Sequence, residues 1–298
     1  MAQFEGIITP MVTPFNRDEG QTINYDACAQ LVERLIEGGV SGIFPLGTNG
    51  EFHVCTAQEK IELTKFVVER VAGRVPVFSG TGSCSTREAI ELSQAAEAAG
   101  VTALSVICPY FVKPTAKDLL GYFRDVAASV SCPVILYNIP GNTGTNIPRE
   151  VLAELAEIDN VRGIKDSSGD LENLKGYLEA AEGKGVDVLV GSDSKILAGL
   201  ELGATGAIAG TSNLITEQVV GLYDAFKAGD RERAAELQAD IEPLRDVIHL
   251  GAQPSMVKRA LELAGVPVGP CRLPILDATP EQDERVRAML DHYGIAHE

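Results

Sequence analysis

Eight short apolar segments alternate with longer segments whose apolar residues recur every three or four positions. Short apolar runs are typical of buried strands, and the three- and four-residue spacing is typical of amphipathic helices. Strands and helices that alternate in series form a parallel sheet, and eight such units close a (β/α)8 barrel. The predicted strands are 6–9, 42–46, 75–79, 103–108, 134–138, 161–165, 186–191 and 206–209.

The helical segments between these strands begin with residues that commonly start a helix, such as Thr56 and Ser85. After residue 228 the alternation ends, and the remaining chain has helical spacing interrupted by proline and glycine. We therefore predict a barrel over 1–228 and a C-terminal helical extension over 229–298. The predicted helices are 25–37, 57–71, 86–99, 116–130, 148–158, 230–250, 255–264 and 280–293.

A doubly wound open sheet is the alternative fold for such a chain. That fold usually carries a glycine-rich nucleotide-binding fingerprint after its first strand. Gly80 and Gly82 match its first two glycines, but Ser85 stands where the third should be. We predict a strand-to-helix turn there and favour the barrel.

Charge and hydropathy exclude several classes of partner. The chain of 298 residues has 42 acidic and 25 basic residues and a net charge of −17. This balance argues against nucleic acid, because phosphate binding requires a basic surface. No run of 18 apolar residues suggests a membrane helix, and no basic-then-apolar leader is present. We therefore expect a cytoplasmic protein without membrane contact.

Motifs of several other enzyme classes are missing. The six cysteines form no Cys-x-x-Cys pair, and the four histidines do not have the spacing of a zinc motif. A metal site is therefore not expected. The nucleophile elbow of serine hydrolases and the phosphate-binding loop of nucleoside triphosphatases are also missing.

Lys165 is the most informative candidate residue, because it ends the sixth predicted strand. In a (β/α)8 barrel the active site lies at the carboxyl ends of the strands. Burial disfavours the charged form of a lysine, and a neutral amine can attack a carbonyl to form a Schiff base. Taken alone, a lysine at this position more often emerges into solvent at the strand end, where it can pair with Asp166.

Two further strand ends offer groups that Schiff-base chemistry needs. Tyr137 ends the neighbouring fifth strand, and a phenol within reach of the imine can relay protons. The turn 47–51 after the second strand offers backbone amides and the Thr48 hydroxyl, which could bind a carboxylate. Each also has a plainer interpretation, as a rim tyrosine and as a glycine-rich turn.

The remaining strand ends supply candidate substrate-binding residues. These residues follow, or stand within, the carboxyl ends of predicted strands, where a ligand would lie. These candidates are Gly47, Asn49, Tyr110, Phe111, Asn142, Ser167, Gly191, Asp193 and Ile208.

Together these motifs resemble the dihydrodipicolinate synthase and N-acetylneuraminate lyase superfamily of class I pyruvate aldolases. The resemblance covers essentially the whole chain and depends on the order and spacing of four segments: 47–51, 137–140, 163–166 and 203–206.

The resemblance implies a (β/α)8 barrel with a C-terminal helical bundle, usually assembled as a homotetramer. It implies that Lys165 forms the Schiff base with pyruvate or another 2-oxo acid, without a metal or dissociable cofactor. Tyr137 is similar to the proton-relay phenol. Thr48 is similar to the hydroxyl that bridges the relay and holds the pyruvate carboxylate, with Asn49 beside it.

Four positions depart from the pattern of known members. Asn142 stands where the synthases carry an arginine that binds the aldehyde's carboxylate, and an asparagine cannot make that bidentate charged contact. Asn49 replaces the second threonine of a pair. Phe111 replaces a tyrosine that completes the relay from a neighbouring subunit, so the relay must be shorter or use Tyr110 or water. Ser194 replaces the glutamate of sialate lyases.

These departures make the chain more similar to 4-hydroxy-2-oxoglutarate aldolases and to some 2-keto-3-deoxy-sugar-acid aldolases. The leading hypothesis is therefore cleavage of a 4-hydroxy-2-oxo acid to pyruvate and an aldehyde. The alternative is 4-hydroxy-tetrahydrodipicolinate synthase, which condenses pyruvate with aspartate semialdehyde. A dehydratase on the same scaffold, and a barrel that only binds a 2-oxo acid, are further alternatives.

Overall fold

The computed structural model describes residues 2–297 and contains eight parallel strands in one closed ring. The strand order is β2-β1-β8-β7-β6-β5-β4-β3, and a parallel bridge between Ile43 and Val77 joins the two ends. The predicted (β/α)8 barrel is confirmed. The strands are β1 Gly6–Thr9, β2 Gly42–Ile43, β3 Phe78–Gly80, β4 Ala103–Ile107, β5 Val134–Asn138, β6 Val161–Asp166, β7 Asp187–Val190 and β8 Gly206–Ile208.

Helices follow the strands and cover the outside of the ring. Many begin at a side-chain cap; Thr56 and Thr115, for example, each form a reciprocal capping box with the third helical residue. The helices are α1 Tyr25–Glu37, α2 Ala57–Val71, α3 Thr86–Ala98, α4 Ala116–Ala128, α5 Pro140–Thr143, α6 Arg149–Leu155, α7 Leu171–Ala181, α8 Ile196–Leu202, α9 Thr216–Ala228, α10 Arg231–Ala239, α11 Glu242–Ile248, α12 Ser255–Leu263 and α13 Pro280–His292.

The inside of the barrel is a packed core, so a ligand cannot pass through it. Side chains from the strands and from the residues next to them form one buried cluster, in which the rings of Phe4 and Phe78 pack edge to face at 5.3 Å. Asp187 accepts hydrogen bonds from the backbone N–H groups of Gln3 and Phe4 at the amino-terminal end of the barrel. The active site of a (β/α)8 barrel lies at the other end, where the strands finish.

Several predicted boundaries differ from the structure, and two of them differ for clear local physical reasons. The helix expected at 230–250 is two helices, α10 and α11, separated at residues 240–241. Pro243 has no amide hydrogen to donate to a preceding carbonyl, so the helical hydrogen bonding is interrupted and Pro243 stands in the first turn of a new helix. Strand β2 ends at Ile43 rather than 46, because Leu46 adopts a positive φ of 61° in a turn.

The C-terminal helices pack against the carboxyl end of the barrel. Gln238 of α10 accepts a hydrogen bond from the Leu197 N–H and donates to the backbone oxygen of Asp193. Farther along, Arg272 forms an ion pair with Glu59 of α2. The boundary at residue 228 between barrel and extension stays a prediction.

No helix within residues 2–297 is long and apolar enough to cross a membrane.

Candidate active site

A cavity of about 270 Å³ opens at the carboxyl end of the barrel. Its lower wall consists of strand ends and the turns that follow them, and its upper wall comes from α11 and the segment before α12. Most of the sequence-predicted residues line this cavity: Thr48, Asn49, Tyr137, Asn142, Lys165, Ser167, Gly191, Asp193 and Ile208.

Lys165 is buried at the end of β6, with 4% of its surface exposed. The pairing of β5 with β6 places it directly beside Tyr137, and its Nζ lies 4.1 Å from the centroid of the Tyr137 ring. The carboxylate of Asp166 accepts hydrogen bonds from Asn138 and from the N–H of Ser168. The interpretation of Lys165 as an exposed lysine is therefore wrong.

Tyr137 and Thr48 form a buried hydroxyl pair next to the lysine. The Tyr137 hydroxyl lies 3.1 Å from Thr48 Oγ1, and either group can donate the hydrogen. Such a pair can transfer a proton between the phenol and the hydroxyl because both groups donate and accept. The amine, phenol and hydroxyl therefore meet at one wall of the cavity.

The turn that carries Thr48 is fixed by a buried ion pair with α12. Glu51 has a positive φ of 53° and directs its carboxylate inward, where Oε1 accepts a hydrogen bond from Lys258 Nζ at 2.9 Å. Its Oε2 accepts one from the N–H of Arg272 at 2.9 Å. Asn49 Oδ1 accepts a hydrogen bond from Gln253 Nε2 at 2.7 Å. The turn therefore depends on the C-terminal segment for its position.

Asp193 is the one acidic side chain that lines the cavity within the described residues. Burial raises the pKa of this carboxyl, and the nearby charges of Arg245 and Lys165 oppose that shift. Its two oxygens accept hydrogen bonds from the backbone N–H groups of Gly210 and Thr211. Asp193 is thus held by the backbone at the end of β8.

Gly191 leaves room for the end of the lysine side chain. A Cβ atom at this position would lie 2.9 Å from Lys165 Cε and 2.1 Å from Ser167 Oγ. Only a residue without a side chain leaves both in place. Ile208 belongs both to the cavity lining and to the cluster inside the barrel, so it forms part of the cavity floor.

Three predicted residues lie outside this cavity. Gly47 packs against Phe44 beneath it. Tyr110 lines an adjoining cavity of about 410 Å³ that also contacts Thr48 and Asn142, and burial raises the pKa of Tyr110 to about 12. Phe111 is 95% exposed and lines neither cavity in the single chain.

Sequence reasoning missed the contribution of the C-terminal segment to the cavity. Arg245, His249 and Gln253 line its upper wall. They belong to no motif and lie far along the chain from the strand ends. The available signal was a helix-breaking Pro243 within the predicted helix 230–250, which indicates two shorter helices that can fold over the barrel.

Comparison with known proteins identifies the family. Residues 3–293 match the sequence model of the dihydrodipicolinate synthetase family. The chain belongs to this family. A 4-hydroxy-tetrahydrodipicolinate synthase of Methanoculleus marisnigri is 37% identical over 98% of this chain and 100% of its own length. A DapA-like lyase of Halobacterium salinarum, itself uncharacterised, is also 37% identical, over 97% of this chain and 94% of its own.

A solved structure supports the same assignment. The dihydrodipicolinate synthase of Acinetobacter baumannii, crystallised with pyruvate, superposes with a TM-score of 0.93 at 34% identity, covering 98% of this chain and 99% of that one. As a member of the family the chain is a carbon–carbon lyase. Members of the family act on pyruvate through a lysine Schiff base without an external cofactor. The resemblance drawn from the motifs is therefore confirmed.

We predict that Gly191→Ala lowers kcat/KM for pyruvate roughly 10- to 100-fold, because the added methyl group displaces the end of Lys165 from its position. Gly121→Ala is the matched control, since a Cβ there meets no atom within 4 Å. Steady-state kinetics and thermal melting of both variants make the comparison. Full activity of Gly191→Ala, with wild-type stability, would contradict this account of the cavity.

Proposed function

We propose that Lys165 forms an imine with the 2-oxo group of pyruvate and that Tyr137 and Thr48 move the protons of the reaction. One observation carries this proposal: the buried Lys165 amine lies 4.1 Å from the centroid of the Tyr137 ring, and the Tyr137 hydroxyl lies 3.1 Å from Thr48 Oγ1. A nucleophilic amine beside a hydroxyl pair supplies both parts of Schiff-base chemistry.

The chemistry proceeds through an enamine. The neutral Lys165 amine adds to C2 of pyruvate, and the carbinolamine loses water to give the imine. Loss of a proton from C3 gives the enamine, whose C3 attacks the aldehyde carbon of the second substrate. Tyr137 gives a proton to the aldehyde oxygen, which becomes the C4 hydroxyl. In the reverse direction Tyr137 takes that proton as the C3–C4 bond breaks and its electrons return to the protonated imine.

The Thr48 turn is suited to the carboxylate of pyruvate. Thr48 offers its hydroxyl, and the turn offers backbone N–H groups of the kind that bind anions. Phe111 has no hydroxyl and cannot pass a proton. We therefore place the next member of the proton relay, Tyr110 or a water, in the adjoining cavity beyond Thr48. This assignment gives the Thr48 hydroxyl and the N–H groups of the turn a role in holding pyruvate or moving protons.

For the second substrate we propose aspartate semialdehyde, which makes the chain a 4-hydroxy-tetrahydrodipicolinate synthase. Support comes from relatives of that name that match over nearly their full lengths. This reverses our preference from the sequence, which was cleavage of a 4-hydroxy-2-oxo acid. Cleavage remains the second candidate because Asn142 lines the cavity, and a neutral amide suits a hydroxyl better than a second carboxylate.

A condensation assay and a cleavage assay together decide between these functions. We expect pyruvate and aspartate semialdehyde to be consumed together, with activity at least 10³-fold lower in Lys165→Arg and clearly lower in Tyr137→Phe. A panel of 4-hydroxy-2-oxo acids, read out by pyruvate release, tests cleavage. Turnover of the panel without consumption of aspartate semialdehyde would establish cleavage instead. Pyruvate binding without turnover in either assay would leave the dehydratase and the non-catalytic alternatives.

We also propose that the chain assembles as a homotetramer, as the family resemblance implies. Phe111 and its neighbour Val112 are 95% and 72% exposed, and Phe111 has a positive φ of 78°. Large apolar side chains exposed next to each other mark contact surfaces. Sedimentation velocity should give a tetramer for the wild type and smaller species for Phe111→Asp. A wild-type monomer at micromolar concentration would contradict this.

A further inference from the structure

The upper wall of the cavity carries a positive charge that the pyruvate chemistry does not use. Arg245 of α11 lines the cavity with 20% of its side chain exposed, on the wall formed by the C-terminal helices. Lys165 lies on the barrel wall. Within the described lining these are the only lysine and arginine side chains, and Asp193 is the one acidic side chain.

The guanidinium of Arg245 has weak partners of its own. Its Nε lies 3.7 Å from Glu242 Oε2, and the Glu242 side chain is half exposed to solvent. Its NH2 nitrogen lies 3.4 Å from His249 Nε2. Both distances are long for a hydrogen bond, whereas a guanidinium has five N–H donors in a planar fork. Most of its donors therefore remain available for a ligand.

Asp193 does not neutralise this guanidinium by direct contact. Its carboxylate oxygens accept hydrogen bonds from the backbone N–H groups of Gly210 and Thr211, and Arg245 acts on it only through the electric field. The field of Arg245 in the cavity thus favours a further anionic group. Asn142 and Gln253 line the same cavity and can add neutral hydrogen bonds to such a group.

We propose that Arg245 binds a carboxylate on the second substrate, at the end remote from the reacting aldehyde carbon. This inference rests on the proposed function, because it assumes that pyruvate occupies Lys165 and the Thr48 turn. Asn142 on the barrel wall has no positive charge to offer this carboxylate, and Arg245 on the opposite wall supplies it. A planar carboxylate suits a single guanidinium, since the two can form parallel hydrogen bonds.

The proposal defines the class of substrate. A second substrate with a terminal carboxylate binds well, and one whose tail carries only hydroxyl groups binds poorly. Aspartate semialdehyde belongs to the first class, and neutral sugar-derived aldehydes belong to the second. Arg245 is in this account a specificity residue that never touches the reacting atoms.

The test uses 2-oxo acids that form the lysine imine but cannot undergo the aldol step. 2-Oxoadipate and 2-oxopimelate carry a distal carboxylate, and 2-oxohexanoate and 2-oxoheptanoate have the same lengths without it. Borohydride traps the imine, and the ligand concentration that gives half-maximal trapping measures affinity. We expect Arg245→Gln to weaken the affinity for the dicarboxylates roughly 10- to 100-fold. Its effect on the affinity for the monocarboxylates and pyruvate should be less than about twofold.

Two variants control the interpretation. Arg245→Lys keeps the charge without the planar fork and should fall between wild type and Arg245→Gln. Arg233→Gln removes a solvent-exposed arginine of α10 and should behave as wild type. Equal losses for both ligand classes in Arg245→Gln would indicate a structural role and overturn the proposal, and so would the lack of any loss.

A failure of the proposed function gives a different result. If pyruvate is not trapped in the wild type, the Schiff-base assignment fails, and the same matched acids are compared by calorimetry in wild type and Arg245→Gln. A lost preference for the dicarboxylates in the variant still supports the role of Arg245. An aldehyde phosphate preferred over the carboxylate by the wild-type enzyme would replace the proposed substrate class.

Discussion

The ion pair between Glu51 and Lys258 holds the two walls of the cavity together. Both side chains are almost fully buried, and Lys258 Nζ also donates to the backbone oxygens of Thr13 and Pro270. Burying two charges is costly unless their hydrogen bonds are satisfied, and here they are satisfied from both sides. The pair fixes the turn that carries Thr48 to α12. The same C-terminal segment includes α11, which carries Arg245.

Much of the fold could be predicted because its signals are local. The spacing of apolar residues and the helix caps gave β1 and β5 and the helices α1 and α2 with the bounds that the structure has. Parallel pairing of neighbouring strands then places Tyr137 beside Lys165, which is why those two could be matched from the sequence. The error at 230–250 arose because the periodic pattern was weighted above Pro243.

The upper wall of the cavity could not be predicted for a different reason. Arg245 and Gln253 lie far along the chain from the strand ends. Lys258 and Arg272 tie their segment to the Glu51 turn through contacts that span more than 200 residues of chain. No local pattern encodes such contacts. The sequence comparison with the family therefore identified a missing arginine at Asn142 without revealing a guanidinium on the facing wall. The conflict between synthase relatives and an unusual Asn142 becomes smaller once Arg245 is considered.

The central claim is that Lys165 is the residue that forms the imine with pyruvate. Incubation with pyruvate and borohydride, followed by peptide mass spectrometry, tests it most directly. The account predicts one reduced pyruvyl group on the peptide that contains Lys165, and no adduct in Lys165→Arg. An adduct on another lysine, or none in a wild-type enzyme that is folded and active, would contradict it.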